Sequence, residues 1–200
     1  MLGQPSSAPS VFVLHAREKL VREINLILIM HPFKGSRLLA ELVAKSLMPA
    51  PRGATRVRTL YGFDMFVDPT TGKGLEESLY YYGTYEAGTL HVIGKCLKAG
   101  DAFIDVGSNI GLMSVFAARV VGPSGTVYSF EPHPTTFAIL QENIQINGIE
   151  NIRAFDFALG SAASTLVLYH SLDSTRGEAS LSKTSQSSAE AIRVLVQPLD

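Results

Sequence analysis

The sequence predicts an α/β fold built on a mainly parallel sheet, and two observations carry that prediction. Three apolar runs, 102–106, 126–130 and 152–157, alternate with a helical stretch over 112–121 and a second one between Pro134 and Gly148. Strand, helix, strand, helix, strand is the order of a parallel sheet with right-handed crossovers. The first run is also followed directly by a polar, glycine-bearing loop that opens a helix. That loop falls at the carboxyl end of a strand, where open α/β sheets bind their ligands.

The elements are justified in chain order. Residues 1–10 hold Pro5, Pro9 and three serines and read as a loose terminus. From His15 to Met30 the spacing predicts a helix with Leu20, Val21, Ile24, Ile27 and Leu28 on one face, stopped by Pro32. A second helix runs from Ser36 to before Pro49, with Leu38, Leu39, Leu42 and Val43 as its stripe and Glu41–Lys45 as an i,i+4 pair. Pro49, Pro51 and Gly53 form a linker. Arg56–Leu60 and Phe63–Val67 flank Tyr61-Gly62 as a hairpin. Leu75–Leu97 reads as two helices broken at Gly83. In the parallel unit, Leu112, Val115, Phe116 and Val120 line one helix, and Phe137, Leu140 and Ile144 line the other. Pro134 opens that second helix and Gly148 stands at C′. Thr165–Tyr169 and Ile192–Val196 are two further strands, separated by the polar span Ser182–Glu190, and are expected to pair antiparallel at the sheet's outer edge.

Composition narrows the classes. The chain has 200 residues, 46 % hydrophobic, with a mean hydropathy of +0.18, which excludes wholesale disorder. A net charge of -1 leaves no nucleic-acid footprint, so no nucleic-acid partner is expected. The one cysteine, Cys96, excludes an internal disulfide and a zinc cluster, and no metal site is predicted. Charge is uneven: residues 1–73 hold 10 Lys+Arg and 5 Asp+Glu (+5), while 74–200 hold 7 and 13 (-6). The basic front half is either a solvated face or one that meets an acidic substrate or a membrane surface. Val11–Leu14 is too short for a signal sequence and lacks a basic flank. Ile24–Met30 is far short of the ~20 residues a spanning helix needs. A cytoplasmic chain without a transmembrane segment is expected. Lys19 and Arg22 beside the first apolar stripe admit two readings, membrane association or packing onto the domain.

The sharpest motif is DVGSNIG, Asp105 to Gly111. Gly107 and Gly111 permit a tight turn and close approach of a ligand to the backbone, and the amides opening the helix can meet an anionic group. A dinucleotide loop needs G-x-G-x-x-G; here Ser108 is followed by Asn109 where the second glycine should stand, and a side chain there crowds a pyrophosphate. Asp105, an acid at the strand's end, suits a cation such as the ammonium of a methionine moiety. These features favour S-adenosylmethionine over NAD. Glu131, 20 residues past Gly111, ends the second strand, where a carboxylate accepts hydrogen bonds from ribose hydroxyls in either cofactor. Pro132, His133 and Pro134 then turn the chain into its helix. Asp156, Phe157 and Ala158 end the third strand, placed for an adenine edge and face, with Asp156 equally readable as a surface carboxylate. Taken singly, Asn109 is also a plausible N-cap and Glu131 a helix-dipole acid; their spacing inside one βαβαβ unit is what points to a nucleoside ligand.

FIDVGSNIG, VYSFEPHP and NIRAFDFALG, with YYGTYEAGTL and LKAGDAFIDVGSNIG upstream, resemble the FkbM family of S-adenosylmethionine-dependent methyltransferases over about Tyr61 to Asp200. The resemblance implies a Rossmann-like class I methyltransferase fold. It assigns Asp105, Gly107, Asn109 and Gly111 to the methionine-side loop, with Ser108 inside it, and Glu131 to the ribose. It brings Tyr85 and Glu86 over the cofactor's methionine end; the other reading of these two is a helix boundary. It implies a small-molecule acceptor, a hydroxyl on a sugar, polyketide or lipid-like molecule. It divides the chain into a tail and helical extension, 1–60, and a methyltransferase domain, 61–200. The family's next segment, of the form I-K-I-D-V-E-G, does not follow Asp200. The domain is therefore expected to be incomplete at its C-terminus, with the 103–106 strand left at an apolar edge. Methyl transfer from a sulfonium is an in-line displacement that needs alignment and a dry site. His133, His170, Asp156 and Glu86 are the visible candidates for a base, and none is assigned as catalytic. Two further readings are a non-catalytic S-adenosylmethionine-binding module and an NAD-dependent oxidoreductase, the latter opposed by Asn109.

Overall fold

In the computed structural model, residues 16–30, 34–71, 74–171 and 189–199 are described. The loose terminus at 1–10, the Val11–Leu14 run and most of the polar span from Ser182 lie outside them. The order is α1 (Ala16–Met30), α2 (Ser36–Leu47), β1 (Thr55–Arg58), β2 (Asp64–Val67), α3 (Leu75–Tyr82) and α4 (Ala87–Cys96), then β3 (Ala102–Val106), α5 (Leu112–Val121), β4 (Thr126–Phe130), α6 (Pro134–Ile146), β5 (Ile152–Phe155), β6 (Ala158–Leu159), β7 (Ser164–Ser171) and β8 (Ala189–Gln197). The parallel sheet has the order β3-β4-β5. Its register sets Asp105 beside Ser129 and Val106 beside Phe130, so the two strands end together. Both predicted crossover helices form, and α6 opens at Pro134 and gives way to a left-handed Gly148.

Two expectations about the sheet are corrected. The third strand ends at Phe155, because Asp156 and Phe157 form a bend. The hairpin β7–β8 pairs antiparallel as expected, but it forms a sheet of its own in the order β6-β8-β7. The bend interrupts the β5 ladder and re-aims the chain, so that Ala158 pairs parallel with Val196.

The N-terminal helices pack by a face rotated from the one periodicity selects. In α1 the expected stripe is inward at Val21 and half-buried at Ile24 and Leu28, but Arg22 and Asn25 are also buried while Leu20 and Ile27 are exposed. In α2 the inward residues are Ser36, Ala40, Ala44 and Met48; the stripe of Leu38, Leu39 and Leu42 faces out. Arg22 supplies the physical reason. Its guanidinium donates to Tyr80 O at 2.6 Å and Leu79 O at 3.4 Å, and also to Arg58 O, which turns that side of α1 onto α3 and the end of β1. Of the two readings open for Arg22, its carbonyl contacts favour packing onto the domain. Asn25 is carried inward with it, and neither its Oδ1 nor its Nδ2 finds a partner among the described residues. Replacing an unsatisfied buried amide by an apolar group of similar shape removes a desolvation cost. Asn25→Leu is expected to stabilise the chain by about 1–2 kcal/mol. The check is a thermal melt, and an unchanged or lower Tm would refute it.

One core joins the hairpin, α3, α4 and the loop before α5: Phe63, Met65, Leu79, Leu90, Ile110 and Leu112 belong to a single buried cluster. Asparagines one turn apart on α6 secure the hairpin. Asn143 Oδ1 accepts from Phe66 N at 2.6 Å and its Nδ2 donates to Phe66 O at 3.3 Å. Asn147 does the same for Asp64, at 2.9 and 2.7 Å. Together they satisfy the β2 edge much as another strand would. No helix of the described residues is long and apolar enough to cross a membrane.

Candidate functional site

The site is the loop that ends β3. Gly107 N and Ser108 N both donate to Phe130 O, at 2.9 and 3.0 Å, which stitches the loop to the end of β4. Ser108 Oγ donates back to Asp105 O at 2.9 Å. Asn109 adopts a left-handed conformation at φ 51°, and its Oδ1 accepts from Ile110 N at 2.8 Å, so its side chain folds onto its own loop. It is not the N-cap of α5. That position falls to Gly111, and no side chain caps the helix. Ile110 O accepts from Asn143 Nδ2 at 2.8 Å, so the same asparagine that grips β2 also fixes the loop.

The two glycines differ. Gly111 has φ +91°, and a Cβ there would stand 2.4 Å from Leu140 Cδ1. Gly107 has φ +75°, and a Cβ there would meet nothing within 4 Å. Gly111 is required by packing, whereas Gly107 faces open space.

Asp105 is turned towards the first turn of α5. Its carboxylate accepts from Ser114 Oγ and from the Ser114 backbone N–H, and Ser114 Oγ in turn accepts from Ser129 Oγ at 2.6 Å. Burial raises its pKa above the ordinary carboxylate value, and the Ser114 hydrogen bonds offset only part of this. Glu131 spans two segments: Oε2 accepts from Asn109 N and Oε1 from His133 N, each at 2.9 Å. Its pKa is also raised, first by burial against the pull of those amides, and further by the negative charge of Asp105. The structure thus sets a buried carboxylate, Glu131, beside the loop together with the half-buried Asp105, whose negative charge it senses.

These shifts predict a pH dependence. A carboxyl whose folded pKa is raised is bound to its proton more tightly in the folded chain. It therefore favours folding below the ordinary carboxyl range, and that contribution is lost as pH rises through the raised value. Asp105→Asn removes the cost of ionisation. The variant is expected to melt above the parent at neutral pH, with the difference shrinking as pH falls into the carboxyl range; a difference that does not change with pH would refute it.

The remaining predicted residues fall into two places. Phe157 closes an aromatic trio at the strand ends, 5.5 Å from both Phe130 and Phe155, whose rings stack at 4.9 Å. Asp156 beside it is exposed, Ala158 opens β6, and Pro132 follows Glu131 directly. Tyr85 and Glu86 are not hydrogen-bonded to the loop among the described residues. They wall a cavity of about 300 Å³ shared with Ala40, Glu41, Ser78 and Tyr82. Glu86 is left-handed at φ 46° and stands at the N-cap of α4, and its carboxylate accepts from Thr89 Oγ1 at 3.3 Å. His133 serves as the N-cap of α6.

Ser114, Ser129 and Asn143 were not among the predicted residues. Ser114 and Ser129 are small polar residues, each flanked on both sides by large apolar or aromatic ones in LMSVFAARVV and TVYSF, and that is the signal that marks them. Among the described residues, no group of His, Cys, Asp and Glu has a metal-holding arrangement.

Comparison with known proteins follows the same segment. Residues 105–200 match the family profile described as Methyltransferase FkbM domain. Methyltransferase 1 of Beauveria bassiana (strain ARSEF 2860) is 35 % identical over 69 residues, 34 % of this chain and 27 % of that protein. The 31-O-demethyl-FK506 methyltransferase FkbM of Streptomyces tacrolimicus is 47 % identical over 47 residues, 24 % of this chain and 18 % of that protein. The matched stretches thus span less than a third of these curated relatives. Among solved structures, M. jannaschii TYW2 in complex with AdoMet aligns with a TM-score of 0.43 and 18 % identity, covering 55 % of this chain and 45 % of that one.

Proposed function

We propose that the chain, whose residues 105–200 match the FkbM methyltransferase domain profile, binds S-adenosylmethionine across the β3–α5 loop and the end of β4, for methyl transfer to a hydroxyl of a small molecule. The observation that carries this reading is the Glu131 carboxylate bonded to Asn109 N beside the open side of Gly107. When bound, S-adenosylmethionine supplies a methyl group already activated on a sulfonium.

The residues present fit that cofactor. Each Glu131 oxygen accepts one backbone N–H and keeps a lone pair for a ribose hydroxyl. Asp105 and Glu131 repel one another in a buried setting, so a cationic ligand relieves a cost that a pyrophosphate would increase. This favours a sulfonium- and ammonium-bearing cofactor over a dinucleotide. Phe157 and Ala158 are proposed at the adenine. Tyr85 and Glu86, on their cavity, are proposed at the acceptor side of the methionine end. The name of the S. tacrolimicus relative, a 31-O-demethyl-FK506 methyltransferase, supports an oxygen acceptor; a sugar, polyketide or lipid-like hydroxyl is the class proposed here. Cofactor binding without turnover is the second reading, which a methyl-transfer assay separates from the first.

Calorimetric titration with S-adenosylhomocysteine, with NAD titrated alongside, tests the proposal. Saturable binding of the first and none of the second is expected; the reverse preference would overturn the reading in favour of an oxidoreductase.

A further inference from the structure

We propose that the outward face of α1 and α2 docks on an anionic lipid surface. Leu20 and Ile27 on α1, and Leu38, Leu39, Leu42 and Leu47 on α2, are between 39 % and 63 % exposed. Leu20 and Ile27 are two turns apart on one side of α1, and Leu38 and Leu42 are one turn apart on α2 with Leu39 beside them. The two helices pack against each other, so these rows belong to one helix pair. Soluble surfaces scatter large aliphatic residues singly; a concentration of them marks an interaction surface. Packing within the domain does not account for these residues, because the inward faces are already filled by Val21, Arg22 and Asn25 and by Ala40, Ala44 and Met48.

Charge selects the occupant. Residues 16–47 contain six Lys and Arg against three Glu. Arg22 is spent on buried carbonyls, and Lys34 stands exposed at the start of the turn into α2. The front of the chain, 1–73, is +5 and the remainder, 74–200, is -6. An anionic surface attracts the net positive segment 16–47 that carries the leucines, which favours the helix pair as the part that meets the lipid. A second copy on this face would bring two basic ends together, which opposes a symmetric dimer. Helices of 15 and 12 residues are too short to span a bilayer and suit a position in its interface. The inference stands independently of the cofactor reading.

The test is co-sedimentation of the full chain with phosphatidylcholine vesicles made with and without phosphatidylglycerol. Pelleting is expected only with the anionic vesicles, weakened by added salt. Leu38→Ser combined with Leu42→Ser, both exposed positions, is expected to leave Tm unchanged and lower vesicle affinity by about tenfold or more. Lys34→Glu, which leaves the leucines in place, is expected to weaken binding to anionic vesicles. The proposal is overturned by absence of pelleting, by equal pelleting with neutral vesicles, by binding that ignores the leucine substitutions, or by light scattering that shows a dimer dissolved by them.

Discussion

Gly111→Ala is expected to destabilise the chain by about 2–5 kcal/mol, summing roughly 1–2 for a left-handed alanine and 1–3 for overpacking. Both costs act at one atom. The backbone is at φ +91°, and the added Cβ would sit 2.4 Å from Leu140 Cδ1. Leu140 is fully buried on α6, so its side chain must shift within the core to admit the Cβ. Gly107→Ala provides the contrast: its φ is +75°, but the added Cβ meets nothing within 4 Å, so only the conformational cost of about 1–2 kcal/mol applies. Thermal melts of the two variants side by side decide the matter. Gly111→Ala should melt well below Gly107→Ala, and both should lose cofactor affinity. Equal melting points would show that the Leu140 contact does not govern the loop.

Glu131→Ala is expected to weaken S-adenosylhomocysteine binding by about 10- to 100-fold, the usual weight of a hydrogen bond to a charged group. The carboxylate has two tasks. It holds the amides of Asn109 and His133, and each oxygen keeps a lone pair that can accept from a ribose hydroxyl. Glu131→Gln separates them: it keeps one accepting oxygen but loses the charge and places an NH2 against one of the amides. It is therefore expected to bind worse than the parent and no worse than Glu131→Ala. Burial of the charge is itself costly, which offsets part of the stability that Glu131→Ala loses by leaving the Asn109 and His133 amides without their acceptor. Unchanged affinity in both variants would remove Glu131 from the site.

The β3–α5–β4–α6–β5 unit was legible because each element carries its own punctuation. Asn109 against the dinucleotide pattern, Gly107 and Gly111, and Glu131 at the end of β4 were visible as residue types at a spacing. What the sequence hid has identifiable causes. Periodicity treats Leu38, Leu39 and Leu42 as a buried stripe, but burial is decided by which face a partner can reach, and Arg22 with its three carbonyl acceptors oriented α1 against expectation. Asn143 and Asn147 read as ordinary polar helix residues; their value lies in meeting a strand edge some 80 positions earlier in the chain (|i−j| of 77 and 83), a relation no local window contains. The inward turn of Asp105 onto Ser114 was missed for the same reason, since it depends on where α5 lies over β3. The separate sheet β6-β8-β7 turns on a two-residue bend at Asp156–Phe157 that apolar spacing does not mark.

The central claim is that the loop from Gly107 to Gly111, together with Glu131, forms the binding surface for S-adenosylmethionine. The most direct measurement is the amide nitrogen–proton spectrum of the chain titrated with S-adenosylhomocysteine. The account predicts saturable shifts concentrated at Gly107, Ser108, Asn109 and Gly111, at Glu131, and at Phe157 and Ala158, with α1 unmoved. An unchanged spectrum at saturating ligand, or shifts that leave Gly107 and Glu131 untouched, would contradict it.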